Sequence, residues 1–222
     1  KAKITCPVCM NKFESTRVRS SSIRIQSIDD DFCQHYRSAN PLYYEMMVCP
    51  RCGFSFNLDS SKTVLSAADR ERVKLLLQPV WQDRAKDYGG LRTWADAMEA
   101  FQQAHYAVEA GLMNSFKTGM LYLKTAWLYR YEGMGEEEQI YIEKAISHFT
   151  EAYEKESFSD LKAELKMIYL LGALNLRAGR IKESARWLDL VLRHPAKSMM
   201  PMLVEQTKDL WADVRQKLRE GK

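Results

Sequence analysis

The chain has 222 residues, 46% of them hydrophobic and 28% charged, a balance that excludes an intrinsically disordered chain. Its formal net charge of +4 is too small to indicate the strongly basic surface that non-specific nucleic-acid binding requires. Because no run approaches the ~18 apolar residues of a membrane span and no charged stretch leads into an apolar one at the start, we expect a cytoplasmic protein without a membrane partner.

Two C-x-x-C motifs lie near the N-terminus. Each holds two thiolates at a tight turn, and two such turns supply the four ligands of a tetrahedral zinc site. Gly53 follows the second motif, where a positive φ lets the chain reverse direction. The stretch between the motifs is longer than the roughly 15–20 residues of a compact ribbon, so we expect a hairpin there. The sequence therefore predicts a structural Zn²⁺ ion bound by Cys6, Cys9, Cys49 and Cys52.

Two alternatives for the same cysteines are a pair of redox dithiols and a pair of disulfides. A redox C-x-x-C motif sits between a strand and a helix, whereas strand-like runs follow both motifs here, at residues 12–16 and 54–58. Disulfides need an oxidising compartment, which the sequence does not indicate. Structural zinc is the favoured interpretation.

The stretch between the motifs has a β pattern. Polar and apolar residues alternate at 16–19 and at 22–26, which is typical of two strands, joined here by a turn at Ser20–Ser21. We expect Asp29–Asp31 to form a solvated turn and residues 43–48 to form a strand that leads into the second motif. The segment is therefore predicted to be a small antiparallel, zinc-ribbon-like β domain.

Arginine and serine side chains cluster in the predicted hairpin. Guanidinium groups, hydroxyls and turn amides together can bind a phosphate group or a nucleic-acid backbone. The alternative is that the strand alternation simply places the arginines in solvent, which the weak overall basicity favours. The candidate anion-binding residues are Arg17, Arg19, Ser20, Ser21 and Arg24.

Cys33 and His35 form a further candidate site. A thiol and an imidazole two positions apart suit a second metal site, or a nucleophile with its base if a third group orients the imidazole. The alternative is that Cys33 packs in the interior beside Phe32 and Tyr36, as unpaired cysteines commonly do. We favour packing. Because the sequence contains no catalytic motif, we predict no catalytic residue and no enzyme activity.

The rest of the chain has helical periodicity. After a linker at 59–65, Ser66 is predicted to cap a helix that Pro79 kinks, and no strand pattern follows. Further helices are predicted at 93–110, 115–132, 136–156, 160–178, 181–193 and 199–219. The fold class is therefore α+β, mostly α. The predicted domains are 1–60 (zinc-ribbon-like), 61–90 (linker and helix) and 91–222 (helical array).

Three of these helices share the spacing small-x-x-x-large-x-x-small, a feature of the tetratricopeptide (TPR) repeat. The period is irregular compared with the ~34 residues of a regular repeat, and close packing in an ordinary helical bundle is the alternative. We predict a TPR-like array. The three sets are Ala97, Phe101 and Ala104; Ala145, Phe149 and Ala152; and Ser184, Leu188 and Val191.

The chain as a whole resembles a bacterial family catalogued as domain of unknown function 2225. The resemblance is carried by both C-x-x-C motifs, Val18–Ser21, Asp31–Cys33 with Tyr36, Asn40–Pro41 with Tyr44, and Val48–Phe54. Similarity to this family implies a zinc-binding head followed by TPR-like helices, and it implies no assigned activity. Phe54–Phe56 departs from the Tyr-Ala-Ala that related chains usually have, a difference that affects packing beneath the second motif.

Together these features favour a non-catalytic scaffold or adaptor. Zinc would hold the N-terminal domain, and the helices would offer a surface to a protein partner; no oligomeric state is predicted. The alternative function is a sensor or binding module for a small anionic ligand or nucleic acid, which would use the arginine and serine residues of the predicted hairpin.

Overall fold

The computed structural model describes residues 1–58, 64–81, 86 and 88–220. The described part is mostly α-helical, with small antiparallel sheets near the N-terminus. The predicted class, α+β and mostly α, is therefore confirmed. None of the described helices is long and apolar enough to cross a lipid bilayer.

The chain divides into two compact units. The first contains residues 1–27 and 35–114, and the second contains residues 28–34 and 115–222. Both C-x-x-C motifs belong to the first unit. The three domain segments predicted from the sequence stay a prediction.

Six short strands form three two-stranded sheets in the described residues. β1 (Ala2–Thr5) pairs with β2 (Lys12–Ser15), β3 (Ile25–Ile28) with β4 (Gln34–Tyr36), and β5 (Met47–Val48) with β6 (Ser55–Phe56). The first and third sheets are antiparallel, with Ile4 opposite Phe13 and Met47 opposite Phe56. Each of these two hairpins carries one C-x-x-C motif in its turn.

A hairpin does lie between the motifs, but its predicted position at 16–19 and 22–26 is wrong. Residues 16–19 form no strand, and Ser20–Ser22 form a single 3₁₀ turn. Nη1 of Arg24 donates to the carbonyl of Ser21 at 2.8 Å, which holds this turn in place. The alternation of polar and apolar residues marks a strand but does not identify its partner. The chain reverses instead at the turn that follows β3, where the amide of Asp29 donates to the carbonyl of Cys33.

The strand predicted at residues 43–48 is much shorter than predicted. Pro41–Tyr44 form a 3₁₀ turn, and the amide of Leu42 donates to the side chain of Asn40. Proline fixes φ near the helical value. The Asn-Pro pair therefore starts a turn, and only Met47–Val48 remain extended.

Seven α-helices follow in the described residues, close to their predicted limits. Ser66 caps the first, as predicted, because its hydroxyl accepts from the amide of Asp69 and donates to the Asp69 carboxylate. Most of the predicted linker at 59–65 lies outside the described residues. The helices are α1 (Ala67–Trp81), α2 (Trp94–Glu109), α3 (Ser115–Tyr131), α4 (Gly135–Lys155), α5 (Leu161–Arg177), α6 (Ile181–Arg193) and α7 (Pro201–Glu220).

In the first unit, α1 and α2 pack against the two cysteine hairpins. One buried cluster contains Ile4 and Phe56 from the hairpins, Leu77 from α1 and Ala107 from α2. Burying a large apolar side chain stabilises the fold by about 1.5–3 kcal/mol. The hairpins are too small for a core of their own, so they bury their apolar side chains on these helices.

The residues that share the predicted repeat spacing are all buried. In two helix pairs the large residue of the set lies over a glycine of the preceding helix, Phe149 over Gly119 and Leu188 over Gly172. A β-carbon on these glycines would come within 2.7 Å of Phe149 and 2.5 Å of Leu188. Glycine therefore allows the pairs α3–α4 and α5–α6 to approach closely in the same way.

The predicted turn at Asp29–Asp31 is present and Asp30 is exposed, but the prediction that the whole turn is solvated is wrong. Asp31 is only 3% exposed, and its carboxylate pairs with the guanidinium of Arg130 in α3 at 2.6 Å. Arg130 also pairs with Asp29 at 2.7 Å and with Glu138 of α4 at 2.8 Å. Removing one partner of a buried ion pair typically costs about 3–5 kcal/mol. This cluster therefore anchors the turn to α3.

Candidate metal centre

The two C-x-x-C turns are built in the same way. In each, the amide four positions after the first cysteine donates to that cysteine's carbonyl, Met10 to Cys6 at 3.0 Å and Gly53 to Cys49 at 2.9 Å. The first cysteine's own amide donates to the carbonyl five positions later in both turns. Met10 and Gly53 also share a positive φ, of 60° and 72°. The two hairpins therefore present their thiols from equivalent backbone positions.

The structure brings the four predicted cysteines together. Their sulfur atoms all lie within 4.8 Å of one another, and the distances are 3.6 Å from Cys6 to Cys52 and 3.5 Å from Cys9 to Cys49. A disulfide places its sulfurs ~2.0 Å apart, and all the cysteines are free. In a tetrahedral site with Zn–S bonds of ~2.3 Å, neighbouring sulfurs are ~3.8 Å apart. The spacing therefore fits four thiolates around one ion.

The same geometry argues against two redox dithiols. Such a pair would consist of the two cysteines of a single motif, placed at the start of a helix. Here the short sulfur distances join one motif to the other. The first motif leads into strand β2 and the second into strand β6. The arrangement is typical of one shared centre.

The thiols of Cys6, Cys49 and Cys52 influence each other's ionisation. Hydrogen bonds from Cys52 and Cys6 lower the pKa of the Cys49 thiol to about 2, and the hydrogen bond with Cys49 raises the pKa of Cys6 to about 12. The neighbouring thiols raise the pKa of Cys52 as well. The pKa of Cys49 is thus shifted in the opposite direction to the pKa values of Cys6 and Cys52. A divalent cation would let all four bind as thiolates, the form in which cysteine ligates metals.

Asn11 is a polar neighbour of the centre that the sequence analysis missed. Its Nδ2 lies 3.9 Å from Sγ of Cys49 and donates to it. Groups that donate to a ligand orient it and tune its basicity. The only signal in the sequence is a polar residue two positions after a C-x-x-C motif.

The predicted anion-binding residues are all exposed. Arg24 is tied to its own turn by the hydrogen bond to Ser21. The side chains of Arg17 and Arg19 make no hydrogen bond or ion pair with the residues that the structure describes. Ser20 forms part of the 3₁₀ turn beside them. Anion binding by this group stays a prediction.

Cys33 is completely buried in the second unit, where its thiol lies 3.7 Å from the hydroxyl of Tyr131. Burial raises the pKa of this thiol to about 12, which makes it a poor nucleophile near neutral pH. His35 is half-buried in β4 and belongs to the first unit. Cys33 thus has the buried, protonated thiol of a packing residue, and a joint role with His35 stays a prediction.

Comparison with known proteins identifies one family. The sequence profile of a family described as "Uncharacterized protein conserved in bacteria" matches residues 1–214, a range that includes both C-x-x-C motifs and helices α1 to α6. No curated protein and no solved structure matches the chain. The chain therefore belongs to this bacterial family, domain of unknown function 2225.

Proposed function

We propose that the chain is a non-catalytic adaptor in which a four-cysteine zinc centre holds the first unit together and the helices of the second unit bind a protein partner. The spacing of the four sulfur atoms carries the metal part of the proposal. Tetrahedral coordination by four thiolates is typical of structural zinc, whereas catalytic zinc keeps a position open for water or substrate. A site closed by Cys6, Cys9, Cys49 and Cys52 leaves no such position.

A row of half-buried rings on α3 and α4 supports the adaptor part. Tyr122 and Tyr129 are two turns apart on α3, as are Tyr141 and His148 on α4, so each pair shares one face of its helix. Ring centroids lie 5.3 Å apart between Tyr129 and Tyr141 and between Tyr122 and His148. The amine of Lys144 lies 4.8 Å from the Tyr141 centroid. We call these five residues the tyrosine strip.

The chemistry of the tyrosine strip suits a protein partner. Tyrosine is enriched at protein–protein interfaces, because it buries a large apolar ring and keeps a hydroxyl for hydrogen bonding. Stacked rings are also held in place before binding, which reduces the entropy lost in the complex. The strip is therefore the surface of the second unit that we assign to the partner.

The close contacts of Phe149 with Gly119 and of Leu188 with Gly172 support a TPR-like relationship between the pairs α3–α4 and α5–α6. Gly119 lies 12 residues before the end of α3 and Phe149 lies 14 residues after the start of α4. The corresponding distances for Gly172 in α5 and Leu188 in α6 are 5 and 7 residues. In the α3–α4 pair, the part of each helix between the glycine contact and the connecting loop is therefore seven residues, about two turns, longer than in the α5–α6 pair. This extension contributes to the irregular period, while the contact between glycine and the large residue is kept in both pairs.

Elemental analysis of the purified full-length chain tests the metal part. We expect one zinc per chain, and protein without zinc or another thiophilic metal would contradict the proposal.

Site-specific photo-crosslinking in the native bacterium tests the adaptor part. A probe at Tyr129 should give one discrete crosslinked protein that a probe at Lys208, an exposed residue of α7, does not give. Tyr141→Ser should weaken that product, and identical products from both positions would refute the assigned surface.

A second candidate function is a binding module for a small anionic ligand or nucleic acid. It is favoured by the exposure of Arg17 and Arg19, whose side chains have no partner in the described part of the chain. A thermal-shift screen of nucleotides and short oligonucleotides on the wild type and on Arg19→Ala decides this point. A stabilising shift that Arg19→Ala abolishes would favour the binding module, and the absence of any shift would remove it.

A further inference from the structure

Arg92 is a buried cation in the first unit. It is 7% exposed and directly precedes Thr93, the capping residue of α2. A guanidinium group has five N–H donors. Nε donates to the carbonyl of Tyr88 at 3.1 Å, and Nη1 donates to the carbonyls of Tyr43 at 3.1 Å and Met46 at 2.6 Å. Nη2, which carries the two remaining donors, is buried and makes no hydrogen bond.

The positive charge of Arg92 has no counter-charge among the residues that the structure describes. Its three acceptors are neutral carbonyl oxygens, and no described carboxylate lies within ion-pair distance of it. Asp96, the nearest acidic residue on α2, is engaged by Lys86 and by the capping residue Thr93. Because arginine stays protonated in proteins, burying it without a counter-ion is strongly unfavourable. The site is therefore suited to a negatively charged ligand.

A small cavity lies beside this guanidinium group. Its volume is about 10 Å³, roughly what one water molecule needs. The lining includes Arg92, Gly89, a second buried polar residue, Ser15 of β2, and its neighbour Glu14, whose side chain is 54% exposed. Ser15 is 2% exposed and its hydroxyl makes no hydrogen bond. Two buried donor groups without a hydrogen-bond partner, Nη2 of Arg92 and Oγ of Ser15, therefore line one small cavity.

We propose that this cavity binds one monatomic inorganic anion, chloride under physiological conditions, which accepts hydrogen bonds from Nη2 of Arg92 and Oγ of Ser15. A water molecule is smaller than a chloride ion and also fits the cavity, but it brings no charge to offset the guanidinium group. Sulfate and phosphate are too large for a cavity of about 10 Å³. The ion would join β2 of the first cysteine hairpin to the start of α2, next to Val48, the residue before Cys49.

Thermal unfolding of the metal-loaded full chain tests the proposal. Sodium chloride, bromide, sulfate and gluconate are compared at equal ionic strength, so that general screening is the same. We expect the Tm to rise with chloride and bromide concentration and to saturate, as for a ligand that binds only the native state. Sulfate and gluconate should give no such rise. Ser15→Ala should remove most of the halide effect, whereas Ser27→Ala, a change at an exposed serine of the same unit, should retain it.

Anomalous diffraction from crystals grown in sodium bromide gives an independent measurement. We expect one bromide peak within hydrogen-bond distance of Nη2 of Arg92 and Oγ of Ser15. A water-like peak without anomalous signal would overturn the proposal. A bromide peak in a protein whose Tm does not depend on halide would indicate an adventitious ion only, and it would overturn the proposal as well. So would a halide effect of equal size in the wild type and in Ser15→Ala.

Discussion

Gly53 lies directly against the indole ring of Trp81, so closely that a β-carbon at Gly53 would be 2.4 Å from Cδ2 of the ring. This contact joins the second C-x-x-C turn to the last residue of α1. The φ of Gly53 is +72°, a conformation in which other residues are strained by about 1–2 kcal/mol. Glycine is therefore required at this position for two independent reasons.

Gly53→Ala should destabilise the first unit by at least about 2 kcal/mol, the sum of backbone strain and the displacement of Trp81. Thermal unfolding of the zinc-loaded protein measures this. Gly90→Ala is the matched control, because its β-carbon would meet no atom within 4 Å. Equal Tm values for the two variants would contradict the close contact.

Met10→Gly should have the opposite effect. Met10 occupies the position equivalent to Gly53 in the first turn, with a φ of 60°, and its side chain is 57% exposed. The substitution removes about 1–2 kcal/mol of strain and costs about 0.5–1 kcal/mol of backbone entropy. We expect a net gain of up to about 1 kcal/mol in the free energy of unfolding. A loss of stability in the same thermal assay would show that the side chain packs.

Cys9→Ser should abolish metal binding and loosen the first unit, including α1 and α2, whose apolar residues share a cluster with the cysteine hairpins. Cys33→Ala is the control, and it should retain the metal because Cys33 lies in the second unit against Tyr131. Metal content by mass spectrometry and amide hydrogen exchange by peptide measure both effects. Full metal content in Cys9→Ser, or metal loss in Cys33→Ala, would refute the four-cysteine assignment.

Gly172→Ala should destabilise the second unit by about 1–3 kcal/mol, since the new methyl group would overlap the buried side chain of Leu188. Gly135→Ala at the start of α4 meets no atom within 4 Å. It should be neutral or stabilising by up to about 1 kcal/mol, because alanine favours the helix. Urea unfolding followed by circular dichroism at 222 nm compares the two variants. A neutral Gly172→Ala would mean that the α5–α6 crossing is looser than described.

Arg130→Met should destabilise the second unit by about 3–5 kcal/mol, because it leaves the buried carboxylate of Asp31 without a cationic partner and leaves Glu138 paired with Arg177 alone. Arg193→Met removes a surface ion pair with Asp189 and should change stability by less than about 1 kcal/mol. The urea midpoints of the two variants give the comparison. Similar midpoints would mean that water reaches the Arg130 cluster.

Local signals explain what the sequence by itself determined. The C-x-x-C turns, the cap at Ser66 and the limits of the helices depend on contacts within a few residues, which a linear pattern records. The buried repeat sets were also predictable, because helical periodicity fixes which residues share a face. The class, the four clustered cysteines and most element boundaries follow from such signals.

Long-range contacts explain what only the tertiary structure decided. The pairing of β3 with β4 replaced the predicted hairpin, because alternation marks a strand but not its partner. Asp31 is buried in an ion pair with Arg130 of α3, which lies 99 positions away in the sequence. No local pattern distinguishes such an aspartate from one in a solvated turn. The cavity beside Arg92 likewise requires Ser15, far away in the chain. Burial and charge pairing across long sequence separations therefore had to come from the folded chain.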